Sequence, residues 1–209
     1  MTRHRFHGDP ARFEVVARFI ADRLPEARYI ADVAGGQGML TRTLRKRFGF
    51  EAEVIDPRGW ALKGVPARTE FYTPAMADYY DLVVGLHPDQ ALRSVVESAA
   101  KVTVLVVPCC NFWTRDIRLG RDELIEQISE FHHSLGGASE RVTLSFSGPV
   151  NHGLILRPPR PRNSLSPPGR GEADSVRGAR PSDYFDEAER RPARGSGACR
   201  PGVSPASAT

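Results

Sequence analysis

The sequence has 209 residues, of which 40% are hydrophobic, and a formal net charge of +4 at pH 7. This length suits one domain with an appendage, and no apolar run reaches the roughly 20 residues that a membrane-spanning helix needs. The three cysteines, two of them adjacent, make neither a disulfide framework nor a zinc site. We therefore predict a cytoplasmic protein with no membrane segment and no bound metal.

The positive charge lies at the C-terminal end of the sequence. Residues 1–157 contain 20 basic and 19 acidic side chains, whereas residues 158–209 contain 9 and 6. Pro, Gly, Ser and Arg dominate the second segment, whose few apolar side chains cannot bury enough surface to offset the chain entropy lost on folding. We predict a folded domain over residues 1–157 and a disordered tail over residues 158–209. The charge of the domain gives no argument for nucleic-acid binding.

Helices and strands are predicted to alternate along the first 157 residues. Apolar residues recur at helical spacing after Asp9-Pro10, which predicts a first helix that ends near Pro25. Apolar and β-branched runs then predict strands at 29–33, 51–56, 69–72, from 81 onward, 102–107, 141–147 and 151–156, with helices at 39–48, 88–99 and 122–135. The last two strands are joined by Gly148-Pro149. This order predicts an α/β fold with a mostly parallel sheet and a terminal antiparallel hairpin.

The most informative stretch connects the first strand to the helix that follows it. The apolar run Tyr29–Val33 contains the acid Asp32 and leads into a turn that holds Gly35, Gly36 and Gly38. Because glycine has no Cβ, a ligand can approach the backbone of such a turn closely. The free N–H groups of the following helix then point at the ligand. This pattern predicts a nucleotide-type pocket at the carboxyl edge of a parallel sheet.

This stretch, Asp32-Val33-Ala34-Gly35-Gly36-Gln37-Gly38, resembles motif I of the class I S-adenosylmethionine-dependent methyltransferases. The usual pattern of that motif is acid-x-Gly-x-Gly-x-Gly, and Ala34 replaces its first glycine here. A dinucleotide-binding loop would instead need Gly or Ala at position 41, where Thr41 stands.

The resemblance implies a Rossmann-like methyltransferase sandwich with S-adenosylmethionine as its cofactor. It places Ala34 and the three loop glycines around the methyl donor. It also places Asp32 near the amino-acid end of the donor.

Asp56 ends the second strand about 20 residues after the glycine loop, where an acid accepts hydrogen bonds from ribose hydroxyls in this type of fold. The alternative is an aspartate that starts a turn before Pro57. In the family, an acid near the end of the third strand often contacts the adenine amino group. Thr73 stands there in this sequence, so the adenine contact stays open.

The loop after the fourth strand lies beside the transferred methyl group in the family. The resemblance therefore places Gly85 and Leu86 at the cofactor and makes His87 a candidate general base, since the pKa of a histidine lies near neutral pH. An equal alternative is that His87 only leads into the next helix. The loop lacks the Asn/Asp-Pro-Pro-aromatic pattern of adenine and guanine N-methyltransferases.

Two cysteines, Cys109 and Cys110, follow the fifth strand and are candidate catalytic residues. Together with Leu-His-Pro after the fourth strand, they resemble the tRNA ribose 2′-O-methyltransferases of the CCCH-finger-associated group. RNA cytosine-C5 methyltransferases also place a nucleophilic cysteine after this strand. The alternative is that both thiols are small buried hydrophobes. The next two residues, Phe112 and Trp113, either stack on a planar substrate or cover the rim of the pocket.

We predict an S-adenosylmethionine-dependent methyltransferase, with tRNA or rRNA slightly favoured as the acceptor because of the two loop resemblances. The alternative is a non-catalytic S-adenosylmethionine-binding module that acts through a partner. A nicotinamide-dependent oxidoreductase is disfavoured by Thr41 and by the terminal hairpin.

Overall fold

A computed structural model describes residues 8–109, 111–114, 117, 119–148 and 150–160. Within these residues, four α-helices span Arg12–Arg23 (α1), Met39–Phe48 (α2), Leu92–Glu97 (α3) and Arg121–Ser134 (α4). The strands span Tyr29–Val33 (β1), Glu51–Ile55 (β2), Ala67–Arg68 (β3), Leu82–Leu86 (β4), Thr103–Val107 (β5), Ala138–Thr143 (β6) and His152–Arg157 (β7). Short 3₁₀ helices cover Pro74–Tyr79, Asp89–Ala91 and Ser98–Ala100.

The seven strands form one sheet in the order β3-β2-β1-β4-β5-β7-β6. Strands β1 to β5 pair in parallel, whereas β7 is antiparallel to both of its neighbours, β5 and β6. The order in which strands are added switches at β1, with β2 on one side of it and β4 on the other, and ligands of open α/β sheets bind in the crevice at such a switch. The predicted Rossmann-like methyltransferase sandwich, with its terminal antiparallel hairpin, is confirmed.

The core lies on both faces of the sheet because successive strand residues point to opposite sides. Leu105 and Val107 of β5 belong to the cluster under α1 and α2, whereas Val104 and Val106 belong to the cluster under α3 and α4. All four side chains are fully buried. The uncharged run in β5 is thus explained by burial on both faces.

Several predicted elements differ from the observed ones. The third strand was expected at residues 69–72, but β3 is Ala67–Arg68, which pairs with Val54 and Ile55 of β2. The predicted hairpin has the right pairing, but β6 begins and ends three to four residues earlier than expected. Leu135, expected on the inner face of the last helix, is 44% exposed beyond its end.

In the part of the chain that the structure describes, no helix is both long enough and apolar enough to cross a membrane. The predicted tail, residues 158–209, lies outside the described residues apart from its first three.

We expect deletion of residues 161–209 to leave the melting temperature of the domain within about 2 °C of the parent value. A Pro-, Gly- and Arg-rich segment with few apolar residues adds little packing free energy. Thermal unfolding of the two chains, followed by circular dichroism at equal concentration, measures the difference. A large drop in the truncated chain would show that the segment packs on the domain.

Candidate functional site

The loop between β1 and α2 has an unusual backbone. Ala34, Gly36 and Gly38 have φ angles of 55°, 58° and 72°, in the left-handed region. Ala34 stands where the family motif has its first glycine, and a side chain in this region costs about 1 kcal/mol. The bond from the Ala34 N–H to the Ile55 carbonyl, at 2.9 Å, fixes the residue in place.

The three glycines of the loop have different reasons to be glycine. A Cβ on Gly35 would lie 2.6 Å from the Asp32 carboxylate, and one on Gly38 would lie 2.7 Å from the side chains of Val54 and Val65. The space that a side chain at Gly35 or Gly38 would need is therefore already occupied by other side chains of the protein. A Cβ on Gly36 would meet nothing closer than the Arg58 guanidinium at 3.9 Å. Gly36 is thus the loop glycine whose side-chain position the protein leaves open.

Asp32 lies beneath this loop and is 1% exposed. Its carboxylate accepts hydrogen bonds from the Thr41 N–H at 3.2 Å and from the Thr41 hydroxyl at 2.9 Å, both within the first turn of α2. Burial raises the pKa of Asp32 to about 6, although the bonds from Thr41 oppose the shift. The structure therefore shows Asp32 holding the loop to the helix. Its predicted contact with the donor stays a prediction.

Asp56 lies beside the loop, at the end of the neighbouring strand, and is 2% exposed. One of its carboxylate oxygens accepts the Gly36 N–H at 2.9 Å. The Arg58 guanidinium bonds both carboxylate oxygens, at 2.8 Å and 2.6 Å. Although burial alone would raise it, the bonds from Arg58 and Gly36 lower the pKa of Asp56. Asp56 is therefore an ionised carboxylate at the predicted ribose position.

A cavity of about 580 Å³ opens at the carboxyl ends of β1, β2 and β4. Its walls come from the ends of β1 and β2, from the segment before the first 3₁₀ helix, from the loop after β4 and from Phe112. The residues that matter for the site are Ala34, Asp56, Arg58, Phe71, Asp89 and Phe112. This volume lies in the range of small-molecule sites, so the sheet places a ligand-sized space where the glycine loop predicts one.

Only two of the predicted cofactor residues, Ala34 and Asp56, line this cavity. Thr73 immediately precedes the first 3₁₀ helix and follows the cavity residue Tyr72. Gly85 lies under Val95 and Pro88, where a Cβ would approach within 3.0 Å, and Leu86 belongs to the core. The predicted donor contacts of Thr73, Gly85 and Leu86 stay predictions.

His87 follows β4 with a φ of 60°, and its side chain is not among those that line the cavity. Its Nε2 lies 3.0 Å from the Val150 carbonyl, and its ring packs edge-on against Phe146. Burial lowers the pKa of His87, although the bond to Val150 opposes the shift. The ring is thus held neutral against the hairpin. Its role as a general base stays a prediction.

Cys109 donates from its thiol to the Asp89 carboxylate at 3.4 Å, and Cys110 lies outside the described residues. A nucleophilic cysteine needs a cation or a helix N-terminus beside it. The Asp89 carboxylate is neither of these. This contact does not support nucleophilic chemistry at Cys109.

The two aromatic residues after β5 have separate surroundings. Phe112 lines the cavity and is 43% exposed. Trp113 packs against Phe131, and the Arg93 guanidinium lies 4.4 Å from the Trp113 ring and 4.2 Å from the Phe131 ring. Phe112 is therefore the one of the pair that a ligand can contact in the cavity.

Sequence reasoning missed two charged residues of the cavity, Arg58 and Asp89. Arg58 stands two residues after the ribose acid, and no periodicity shows that its side chain folds back onto Asp56. Asp89 falls inside the loop predicted to hold catalytic groups, where His87 is the residue whose ordinary pKa suits acid–base chemistry. Among the described residues, no group of three or more His, Cys, Asp or Glu side chains forms a metal site.

No family model and no curated protein matches the sequence. Among solved structures, the sugar N-methyltransferase KedS8 from a Streptoalloteichus species is 16% identical, over 76% of this chain and 96% of that chain, with a TM-score of 0.47. CalS10, an amino pentose methyltransferase from Micromonospora echinaspora, is 16% identical, over 70% of this chain and 90% of that chain, with a TM-score of 0.47.

The methyltransferase domain of a bacterial Hen1 protein is 15% identical, over 70% of this chain and 97% of that chain, with a TM-score of 0.48. At such low identities and TM-scores, these likenesses say nothing about the substrate. The strand order and pairing described above are what assign the chain to the Rossmann-like methyltransferase fold.

The raised pKa of Asp32 makes stability depend on pH. Because the folded state binds the proton more tightly than the unfolded state, the contribution of Asp32 is most favourable below its ordinary pKa of 3.8. It is lost as the pH rises through the folded value of about 6. The loss amounts to about 3 kcal/mol, at about 1.4 kcal/mol for each pKa unit.

We therefore expect Asp32→Asn to gain up to about 3 kcal/mol of unfolding free energy relative to the parent between about pH 4 and pH 7. Urea unfolding of both chains across this range gives the difference, in which the titration of other groups cancels. A difference in unfolding free energy that does not change with pH would contradict the raised pKa of Asp32.

Proposed function

We propose that this protein is an S-adenosylmethionine-dependent methyltransferase. The observation that carries the proposal is the pairing of an open glycine with a buried, ionised acid. Gly36 leaves its side-chain position free, and the Asp56 carboxylate accepts the Gly36 N–H at the edge of the cavity. In an open α/β sheet, such a pairing suits a ribose beside a close approach of the backbone.

The chemistry of the cavity residues fits the parts of the donor. Asp56 is an acceptor for the ribose hydroxyls. The largely apolar walls formed by Pro57, Tyr72 and Ala91 suit the faces of an adenine ring. The loop around Gly36 then faces the amino-acid end, with Asp32 below the loop as the residue that keeps it in place.

When bound, S-adenosylmethionine supplies a methyl group on a positively charged sulfur, open to direct displacement by a nucleophile. Orientation of the acceptor carries much of the catalysis in such a reaction. The acceptor atom loses a proton as it gains the methyl group. Asp89 is the cavity carboxylate placed to take that proton, whereas His87 is bonded to the hairpin and Cys109 donates to Asp89.

For the acceptor, we propose a molecule with a planar or apolar surface. Phe71 and Phe112 line the cavity and are 76% and 43% exposed, so their rings are available for stacking. RNA satisfies this requirement, as do many small metabolites. The slight preference for tRNA or rRNA rests on the loops after β4 and β5 and stays a prediction.

We expect S-adenosylmethionine and S-adenosylhomocysteine to bind the protein in calorimetry, with NAD showing no binding. A screen that transfers labelled methyl groups to tRNA, rRNA, protein extract and small metabolites, amino sugars among them, then identifies the acceptor. Donor binding with no transfer to any acceptor would favour the alternative of a binding module that acts through a partner. NAD binding in place of the donor would contradict the proposal.

A matched pair of glycines tests the close approach of the donor. Gly36 and Gly49 both have left-handed backbones, with φ of 58° and 74°, and a Cβ on either would clash with nothing. Gly36 donates its N–H to the cavity residue Asp56, whereas Gly49 ends α2. We expect alanine at either position to lower the unfolding free energy by about 1 kcal/mol.

Only Gly36→Ala should also weaken S-adenosylhomocysteine binding, by about tenfold or more, because its methyl group projects into the donor space. Equal donor affinities of the two variants would show that the ligand does not approach the loop at Gly36.

A further inference from the structure

Arg58 fills most of the hydrogen-bonding capacity of the Asp56 carboxylate. One oxygen, Oδ1, accepts the backbone N–H and the Nε–H of Arg58, at 2.9 Å and 2.8 Å. The other oxygen, Oδ2, accepts an Nη2–H of Arg58 at 2.6 Å and the Gly36 N–H at 2.9 Å. An ionised carboxylate has about four acceptor sites. All four are therefore taken by groups of the protein.

Two of these four bonds can be exchanged and two cannot. The Gly36 and Arg58 N–H groups belong to the backbone, and moving them would rearrange the glycine loop and the turn after β2. The Nε–H and Nη2–H groups belong to a side chain that is 39% exposed and can leave by rotating about its own bonds. A ribose diol presents two hydroxyl donors. The two exchangeable bonds are therefore the ones that ribose hydroxyls would replace.

We propose that Arg58 competes with the ribose of the donor for Asp56, so that release of the Arg58 side chain determines donor affinity. This inference rests on the proposed function. It also explains how a buried acid keeps its charge when no ribose is bound, because the guanidinium bonds it directly and lowers its pKa against the effect of burial.

Other partners for the guanidinium lie close by. Its central carbon lies 4.8 Å from the ring centre of Trp60, which is 60% exposed, and an Nη2 bond reaches the Ala34 carbonyl at 3.4 Å. The Asp89 carboxylate is close enough to contribute to the raised pKa of Arg58, after the larger effect of the Asp56 bonds. Release from Asp56 thus leaves the guanidinium beside the Trp60 ring, and this contact lowers the free energy needed for release.

The competition is measured by calorimetric titration of S-adenosylhomocysteine, a neutral-sulfur probe, into the parent chain and three variants. Arg58→Met removes both exchangeable bonds while keeping an unbranched side chain, and we expect it to bind the probe about tenfold more tightly. Arg58→Lys keeps the charge without the paired donors and should give an intermediate affinity.

Arg68→Met is the matched control. Arg68 bonds the Glu53 carboxylate at 3.1 Å on the same edge of the sheet but does not line the cavity, so the control should bind the probe as the parent does.

A double-mutant cycle shows whether the effect passes through Asp56. In an Asp56→Asn background, Arg58→Met should change the affinity for the probe by less than about twofold, because the charge for which the two groups compete is gone. Thermal unfolding without ligand confirms that each variant is folded at the titration temperature. Since Arg58→Met leaves the buried Asp56 charge without its cation, it should lower the melting temperature without ligand. Addition of the probe should then raise the melting temperature of this variant more than that of the parent.

The outcomes separate this inference from the proposed function. If the parent binds the probe and both Arg58 variants bind it as tightly as the parent or more weakly, competition is excluded. The proposed donor pocket is then unaffected. A gain in affinity that persists unchanged in the Asp56→Asn background also overturns the inference. If neither the parent nor Arg58→Met binds the probe, the donor pocket itself is wrong. Binding of the probe by Arg58→Met but not by the parent would support both the inference and the proposed function.

Discussion

The site depends on one constraint, which is that two buried carboxylates hold the glycine loop from two sides. Asp32 bonds Thr41 from below and leaves no room for a side chain at Gly35. Asp56 bonds the Gly36 N–H from the neighbouring strand. The parallel pairing of β1 with β2 sets the spacing between the two acids, since Asp32 lies opposite Val54. The loop is therefore fixed by side chains of the sheet as well as by its own turns.

The two acids reach opposite electrostatic states. Asp32 has neutral donors from one threonine, so burial dominates and raises its pKa to about 6. Asp56 has a guanidinium and two backbone N–H groups, which outweigh burial and lower its pKa. An acid that must meet a ligand while charged needs the second environment. The two acids therefore differ in charge and in partners, although the sequence presents both as an acid in or just after a strand; their contacts with the donor stay predictions.

Patterns of hydrophobic residues predicted the exact bounds of β1 and α2, because each is a local run with glycines close to its ends. They failed at β3, where pairing with β2 selected the two exposed residues Ala67–Arg68 over the aromatic run that follows. They also failed to show the Arg58 side chain, since its contacts depend on the path of a turn. The burial of the His87 ring against Phe146 and Val150 depends on the distant hairpin, which local patterns do not describe.

The loop after β4 carries the remaining strain of the site. His87 and Asp89 are both left-handed without being glycine, with φ of 60° and 46°, and such residues persist only where their surroundings hold them. Here the His87 N–H bonds the Val107 carbonyl, the His87 ring bonds Val150, and Asp89 accepts from Cys109. The contacts of His87 turn its ring toward the hairpin, whereas Asp89 faces the cavity. Neither His87 nor Cys109 lines the cavity itself, and the Cys109 thiol bonds the Asp89 carboxylate from the neighbouring loop after β5. Their catalytic roles stay predictions.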